Sequence, residues 1–148
     1  MIQRIQSVWL LLAALVMAGL FVTNVYSINI PADSSAAIQS DYVKVISIKN
    51  NFLALGLAGA SVLLSLVSIF LFKRRAQQKN LIWINILLTI GLLFWLYIGL
   101  NSFWSNYPNV GHISLGLFLP VVCIFFFLFA LRGIRKDEKL LKSLDRLR

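Results

Sequence analysis

The chain has one cysteine, one histidine and five acidic residues among its 148 positions, and each shortage removes a class of chemistry. Cys123 has no second thiol, which excludes an intramolecular disulfide and the paired cysteines of a disulfide oxidase. His112 alone supplies neither a bis-histidine haem site nor a metal cluster, and is left with the general ability of an imidazole to titrate near neutrality. Asp33, Asp41, Asp137, Glu138 and Asp145 all fall outside the long apolar runs, so no membrane-embedded carboxylate is available for proton coupling. Ser61, Ser65 and Ser68 lack a base to activate them. Gly56 and Gly59 sit within an apolar run rather than in a phosphate-cradling loop. No catalytic, cofactor-binding or metal-binding residue is expected, and the chain is not expected to be an enzyme.

What is abundant is apolar length. The sequence is 59% hydrophobic and 13% charged, a balance that a soluble domain of this size cannot hide from water. A membrane span needs about 20 mostly apolar residues. Four stretches qualify: Val8 to Ile28, Phe52 to Phe72, Leu81 to Leu100 and Ile113 to Leu131. The expected fold is an all-α four-transmembrane-helix bundle, one membrane domain over residues 1–148. The first run is longer than the apolar region of a signal peptide, about 7–15 residues, and Thr23-Asn24-Val25-Tyr26-Ser27 has no small-x-small cleavage pattern, so it reads as a retained helix. Asn101 to Gly111 carries the Asn, Ser, Pro and Gly punctuation of a tight polar turn.

The formal net charge of +9 is concentrated at the ends of apolar segments, not on a water-exposed face with readout elements, which favours anionic lipid headgroups over nucleic acid. Twelve of the fourteen Lys and Arg residues fall at Arg4, Lys73 to Lys79 and Arg132 to Arg148. Only Lys44 and Lys49 fall on the other side. The positive-inside rule then places both termini in the cytoplasm. Trp9 and Trp83 suit the inner interface, and Tyr26, Tyr42, Trp104 and Tyr107 the outer one.

In the loop from Asn29 to Asn51, the β-branched stretch Tyr42 to Ile48 is able to pair with Tyr26 to Ile30 as a small hairpin, or to extend the second helix. The tail from Arg132 reads as a charged cytoplasmic helix, with Ile134, Leu140, Leu141, Leu144 and Leu147 on an apolar stripe and Glu138 preceding Lys142 at i, i+4. Such a helix suits the inner leaflet, a partner, the Lys73 to Asn80 loop, or plain solvation.

Helices in lipid associate where small residues permit close approach. Ala54, Ala58, Ser61, Ser65 and Ser68 recur at intervals of four and three as a packing seam. Ser7, Ala14 and Ala18 in the first span, and Gly116, Pro120 and Cys123 in the fourth, are expected to turn inward as well. Asn85 and Thr89, one turn apart in the third span, read as interhelical hydrogen-bonding groups. Pro120 is expected to kink the fourth helix and free a carbonyl near Gly116.

The opening Met1-Ile2-Gln3-Arg4-Ile5-Gln6-Ser7-Val8-Trp9 and the closing Arg132-Gly133-Ile134-Arg135-Lys136-Asp137-Glu138-Lys139 through Arg148 resemble the domain of unknown function 4293 family of small bacterial membrane proteins. Ile69-Phe70-Leu71-Phe72-Lys73 and Gly116-Leu117-Phe118-Leu119-Pro120 resemble it too. The resemblance implies the inner membrane of a Bacteroidota-type bacterium and supplies no activity. It draws attention to Arg4, Arg135, Lys136, Asp137, Glu138, Asp145, Arg146 and Arg148 as candidate contacts for a partner or for anionic lipid. The leading expectation is a non-enzymatic accessory or scaffold protein acting through this basic face. The alternative is a small neutral-solute transporter or channel subunit lined by Asn85, Thr89 and the serine seam. A remote third reading places a lipid-modifying activity at Asp137 and Glu138.

Overall fold

A computed structural model of the chain describes residues 3–29, 43–48, 51–71, 74–106 and 111–145. Among the described residues four helices dominate: α1 (Gln3–Gly19), α2 (Phe52–Phe70), α3 (Arg75–Asn106) and α4 (Leu119–Asp145). Three short strands, β1 (Asn24–Asn29), β2 (Val43–Ser47) and β3 (Gly111–Ile113), form one antiparallel sheet in the order β2-β1-β3. Each helix packs on the next in sequence, and α4 closes back on α1. Among the described residues three helical stretches, Phe52–Phe70, Arg75–Ser102 and Leu115–Leu140, are long and apolar enough to cross a membrane; Gln6–Gly19 is apolar but shorter.

The distribution of polarity is the reverse of a water-soluble protein. Leu11, Leu15, Leu63, Leu87, Phe94 and Phe125 face outward, while Gln6, Ser61, Ser65, Gln78, Asn85 and Thr89 are buried between helices. Apolar surface stays outside when the surrounding solvent is hydrocarbon, and polar groups then retreat to where other protein groups satisfy them. The apolar part of the core is built from Leu10, Met17, Leu20, Ile82, Leu92, Phe127 and Ile134, each at most 1% exposed.

The first helix is shorter than the apolar run that encodes it. Helical hydrogen bonding gives way to tighter turns at Leu20, Phe21 and Val22, and both the amide and the hydroxyl of Thr23 donate to Gly19 O, at 2.9 and 3.0 Å. Asn24 onward is strand, because hydropathy counts Val, Tyr and Ile equally in either geometry whereas β-branched and aromatic side chains prefer the pleated one. β1 pairs with β2 through partners such as Ser27 and Val45, and with β3 through Ser27 and His112. The third strand was not expected from the sequence, and the connection Pro31 to Asp41, with Tyr42, lies outside the described residues.

Two further expectations are corrected. Pro120 is the second residue of α4, where a missing N–H costs nothing, so it starts the helix rather than kinking it. The carbonyl expected to be freed at Gly116 belongs instead to a 3-10 turn, Leu115–Leu117, packed on β1. No turn begins at Asn101, since α3 continues to Asn106; residues 107–110 lie outside the described residues. Gly116 is nonetheless required, because a Cβ there would stand 2.5 Å from Asn24 O and 3.2 Å from Thr23 Oγ1. Those are mostly backbone neighbours that cannot turn aside.

Candidate functional site

The alternating helix directions bring the start of α1, the end of α2, the start of α3 and the end of α4 together, opposite the sheet. Side-chain contacts fix this arrangement. Gln6 Nε2 donates to Asp137 Oδ2 at 2.6 Å, Gln78 Nε2 donates to Ser68 O at 3.0 Å, and Lys79 Nζ lies 2.7 Å from Glu138 Oε1. The Gln78 bond satisfies one of the carbonyls left over at the end of α2.

Asp137 and Glu138, adjacent in sequence, serve different interfaces. Successive helical residues are about 100° apart around the axis, so Asp137 turns toward α1 and Glu138 toward α3. Asp137 is buried and its Oδ1 has no hydrogen-bond partner among the described residues. Gly133, one turn earlier, makes room for Gln6: a Cβ there would lie 2.9 Å from Gln6 Cγ. Arg75 Nη1 is likewise buried without a partner among the described residues.

With Asp137 and Glu138 engaged, four cations of α4 are left facing outward. Arg132, Arg135, Lys136 and Lys139 are exposed and form no ion pair among the described residues. Together with Trp83 of α3 they border a groove of about 490 Å³. A smaller cavity of about 190 Å³ lies at the opposite end beside Val25, Ile48 and Trp95, where the Tyr26 hydroxyl already donates to Leu96 O.

Midway between these ends, the α2 seam meets α3. Ala54, Ala58, Ser61, Ser65 and Ser68 are all buried. Ser61 Oγ donates to Asn85 Oδ1 at 2.6 Å, and Asn85 Nδ2 donates to Ser61 O at 3.0 Å and Ser65 Oγ at 2.7 Å. Ser65, Ser68 and Thr89 donate to carbonyls one turn back, at 2.8 Å each. Every hydroxyl and amide in this cluster has a partner, so it is a closed network between two helices. On α1, Ala14 is buried, whereas Ser7 and Ala18 are half-buried; Gly116 in the 3-10 turn and Pro120 and Cys123 on α4 are buried.

Of the candidate contact residues, the structure brings Asp137 and Glu138 to the charged end and leaves Arg135 and Lys136 exposed there. Arg146 and Arg148 lie outside the described residues, as do the side chains of Arg4, Asp145, Lys142 and His112. On the expected tail stripe Ile134 is buried and Leu140 is exposed; the other members lie outside the described side chains. Gln6, Gln78, Arg132 and Lys139 were missed as site residues. The spacing of Arg132, Arg135, Lys136 and Lys139 at three, four and seven places them on one helix face, and was the signal available for the last two.

Residues 2–147 match the family described as Domain of unknown function (DUF4293). The chain belongs to that family. The match takes in both the Gln6 end of α1 and the charged end of α4, so the Gln6 to Asp137 contact joins two segments of one DUF4293 unit. No curated protein matches the chain in sequence.

Proposed function

We propose that this DUF4293 protein is a four-span bundle that anchors a basic cytoplasmic end in a bacterial inner membrane, and that it acts without catalysis as an accessory or scaffold protein. The observation that carries the reading is the division of charge on α4: Asp137 and Glu138 are drawn into contacts with α1 and α3, and Arg132, Arg135, Lys136 and Lys139 are left exposed on one face. An end so arranged suits an acidic partner or an anionic lipid surface. The fourth span is α1, whose 17 residues reach about 26 Å at 1.5 Å each, and the turns at Leu20 to Val22 carry the chain the remaining distance to a hydrocarbon thickness of about 30 Å. A neutral-solute path along Ser61, Ser65, Asn85 and Thr89 is less well supported, because those groups satisfy one another and leave no donor free for a solute.

Affinity capture after mild solubilisation tests the reading. Wild-type protein is expected to retain a membrane protein or anionic lipid in stoichiometric amount, and the variant Arg135→Glu, Lys136→Glu is expected to lose it. Capture of nothing by the wild type, or of the same material by both, contradicts it.

A further inference from the structure

The exposed cations of α4 form one side of a groove, not a uniform belt. Arg132, Arg135, Lys136 and Lys139 line it together with Leu128 and Leu131, which lie one turn nearer the apolar part of the same helix. Across from them stands Trp83 of α3, 46% exposed. Among the described residues no acid lines the groove: Asp137 is turned to Gln6, and Glu138 is held by Lys79, one helical turn from Trp83. The groove is therefore cationic at its outer end and apolar at its inner end, and Leu87 and Phe125, about one turn further along α3 and α4 from Trp83 and Leu128, face outward.

Each half narrows the occupant. A soluble anion uses the four cations but has no use for Leu128 and the face of Trp83. An uncharged lipid uses the apolar half but leaves four cations unmatched. We propose that the groove binds one anionic phospholipid of the adjoining leaflet, with its phosphate among Arg132, Arg135, Lys136 and Lys139 and its glycerol and upper acyl chain on Leu128 and Trp83. Guanidinium groups take phosphate oxygens in pairs, and an interfacial Trp is suited to the boundary between headgroup and chain. This assignment rests on the membrane-anchor reading above and names the ligand of its basic end.

The test uses the full chain with Trp9, Trp95 and Trp104 replaced by Phe, in phosphatidylcholine vesicles containing a minor share of chain-brominated lipid, which quenches indole on contact. Brominated phosphatidylglycerol is expected to quench Trp83 more strongly than brominated phosphatidylcholine at equal mole fraction. The double variant Arg135→Gln, Lys139→Gln is expected to lower that preference about tenfold, while Arg74→Gln, an exposed cation outside the groove, retains it. Native mass spectrometry of the unsubstituted chain gives an independent count, expected to be one retained phosphatidylglycerol. Equal quenching by the two lipids overturns the assignment, as does complete displacement of phosphatidylglycerol by excess inorganic phosphate. If quenching is equal yet a protein is still captured through Arg135 and Lys136, the lipid site falls and the accessory reading stands.

Discussion

Gln6 and Asp137, 131 positions apart, are joined by a 2.6 Å hydrogen bond that ties the start of α1 to the charged half of α4. The bond sits where Gly133 leaves space for the Gln6 side chain, and it is a buried contact. Removing the donor strands a polar group, which costs more than the bond itself contributes.

Replacing Gln6 by Met should therefore destabilise the protein by roughly 1–3 kcal/mol. Asp137→Asn keeps an acceptor oxygen for Gln6 and should cost less. Thermal unfolding in mild detergent, followed by circular dichroism, ranks the two; a Gln6→Met melt equal to wild type would contradict the role assigned to this contact.

The close approach of Gly116 to β1 makes a second prediction. Gly116→Ala should cost roughly 1–3 kcal/mol, because the added methyl meets backbone at 2.5 Å and the turn or the strand must move. Gly59 and Gly91 have nothing within 4 Å of a built Cβ, so Gly59→Ala and Gly91→Ala should cause no loss. The same melts, run side by side, separate a packing requirement at Gly116 from a general intolerance of substitution.

Asn85 is the hub between α2 and α3, bonded to both Ser61 and Ser65. A double-mutant cycle of Asn85→Ala with Ser61→Ala should give a coupling of about 0.6 kcal/mol, the average for interhelical hydrogen bonds in membranes. Zero coupling would mean that the pair contributes no net stability to the α2–α3 contact.

The Lys79 to Glu138 ion pair is partly exposed, at 28% for each side chain, and should contribute little, about 0–1 kcal/mol. Lys79→Met should shift the melt less than Gln6→Met does. The reverse order would show that the α3–α4 bridge, not the α1–α4 hydrogen bond, secures the charged end.

These contrasts explain what was legible in the sequence. Apolar length marks helices α2, α3 and α4 because charge closes the α2 and α4 runs and opens the α3 run, while the Asn, Ser, Pro and Gly of Asn101 to Gly111 part α3 from α4, and the spacing of Ala54, Ala58, Ser61, Ser65 and Ser68 marks the face of α2 that is buried. Hydropathy fails at Val22 to Ile28, where the run stays apolar while the backbone changes from helix to strand. Pro120 was misplaced because the start of α4 depends on where the Leu115–Leu117 turn packs, a tertiary fact. The partners of Gln6, Gln78 and Asp137 were hidden for the same reason: a polar residue near a helix end is equally consistent with solvent, and only the antiparallel placement of α1 against α4 and α2 against α3 brings them together.

The most direct test of the account is the sidedness of the two ends of the α1–α4 pair. Asn24 follows α1 at the sheet end, and Ser143 lies near the close of α4; both are exposed. With Cys123, buried in the core, changed to Ala, single cysteines at Asn24→Cys and Ser143→Cys would be challenged in intact cells and in inverted vesicles with a membrane-impermeant thiol reagent. The account predicts labelling of Asn24→Cys only in cells and of Ser143→Cys only in inverted vesicles. Labelling of both positions from the same side, or of Ser143→Cys in intact cells, would contradict it.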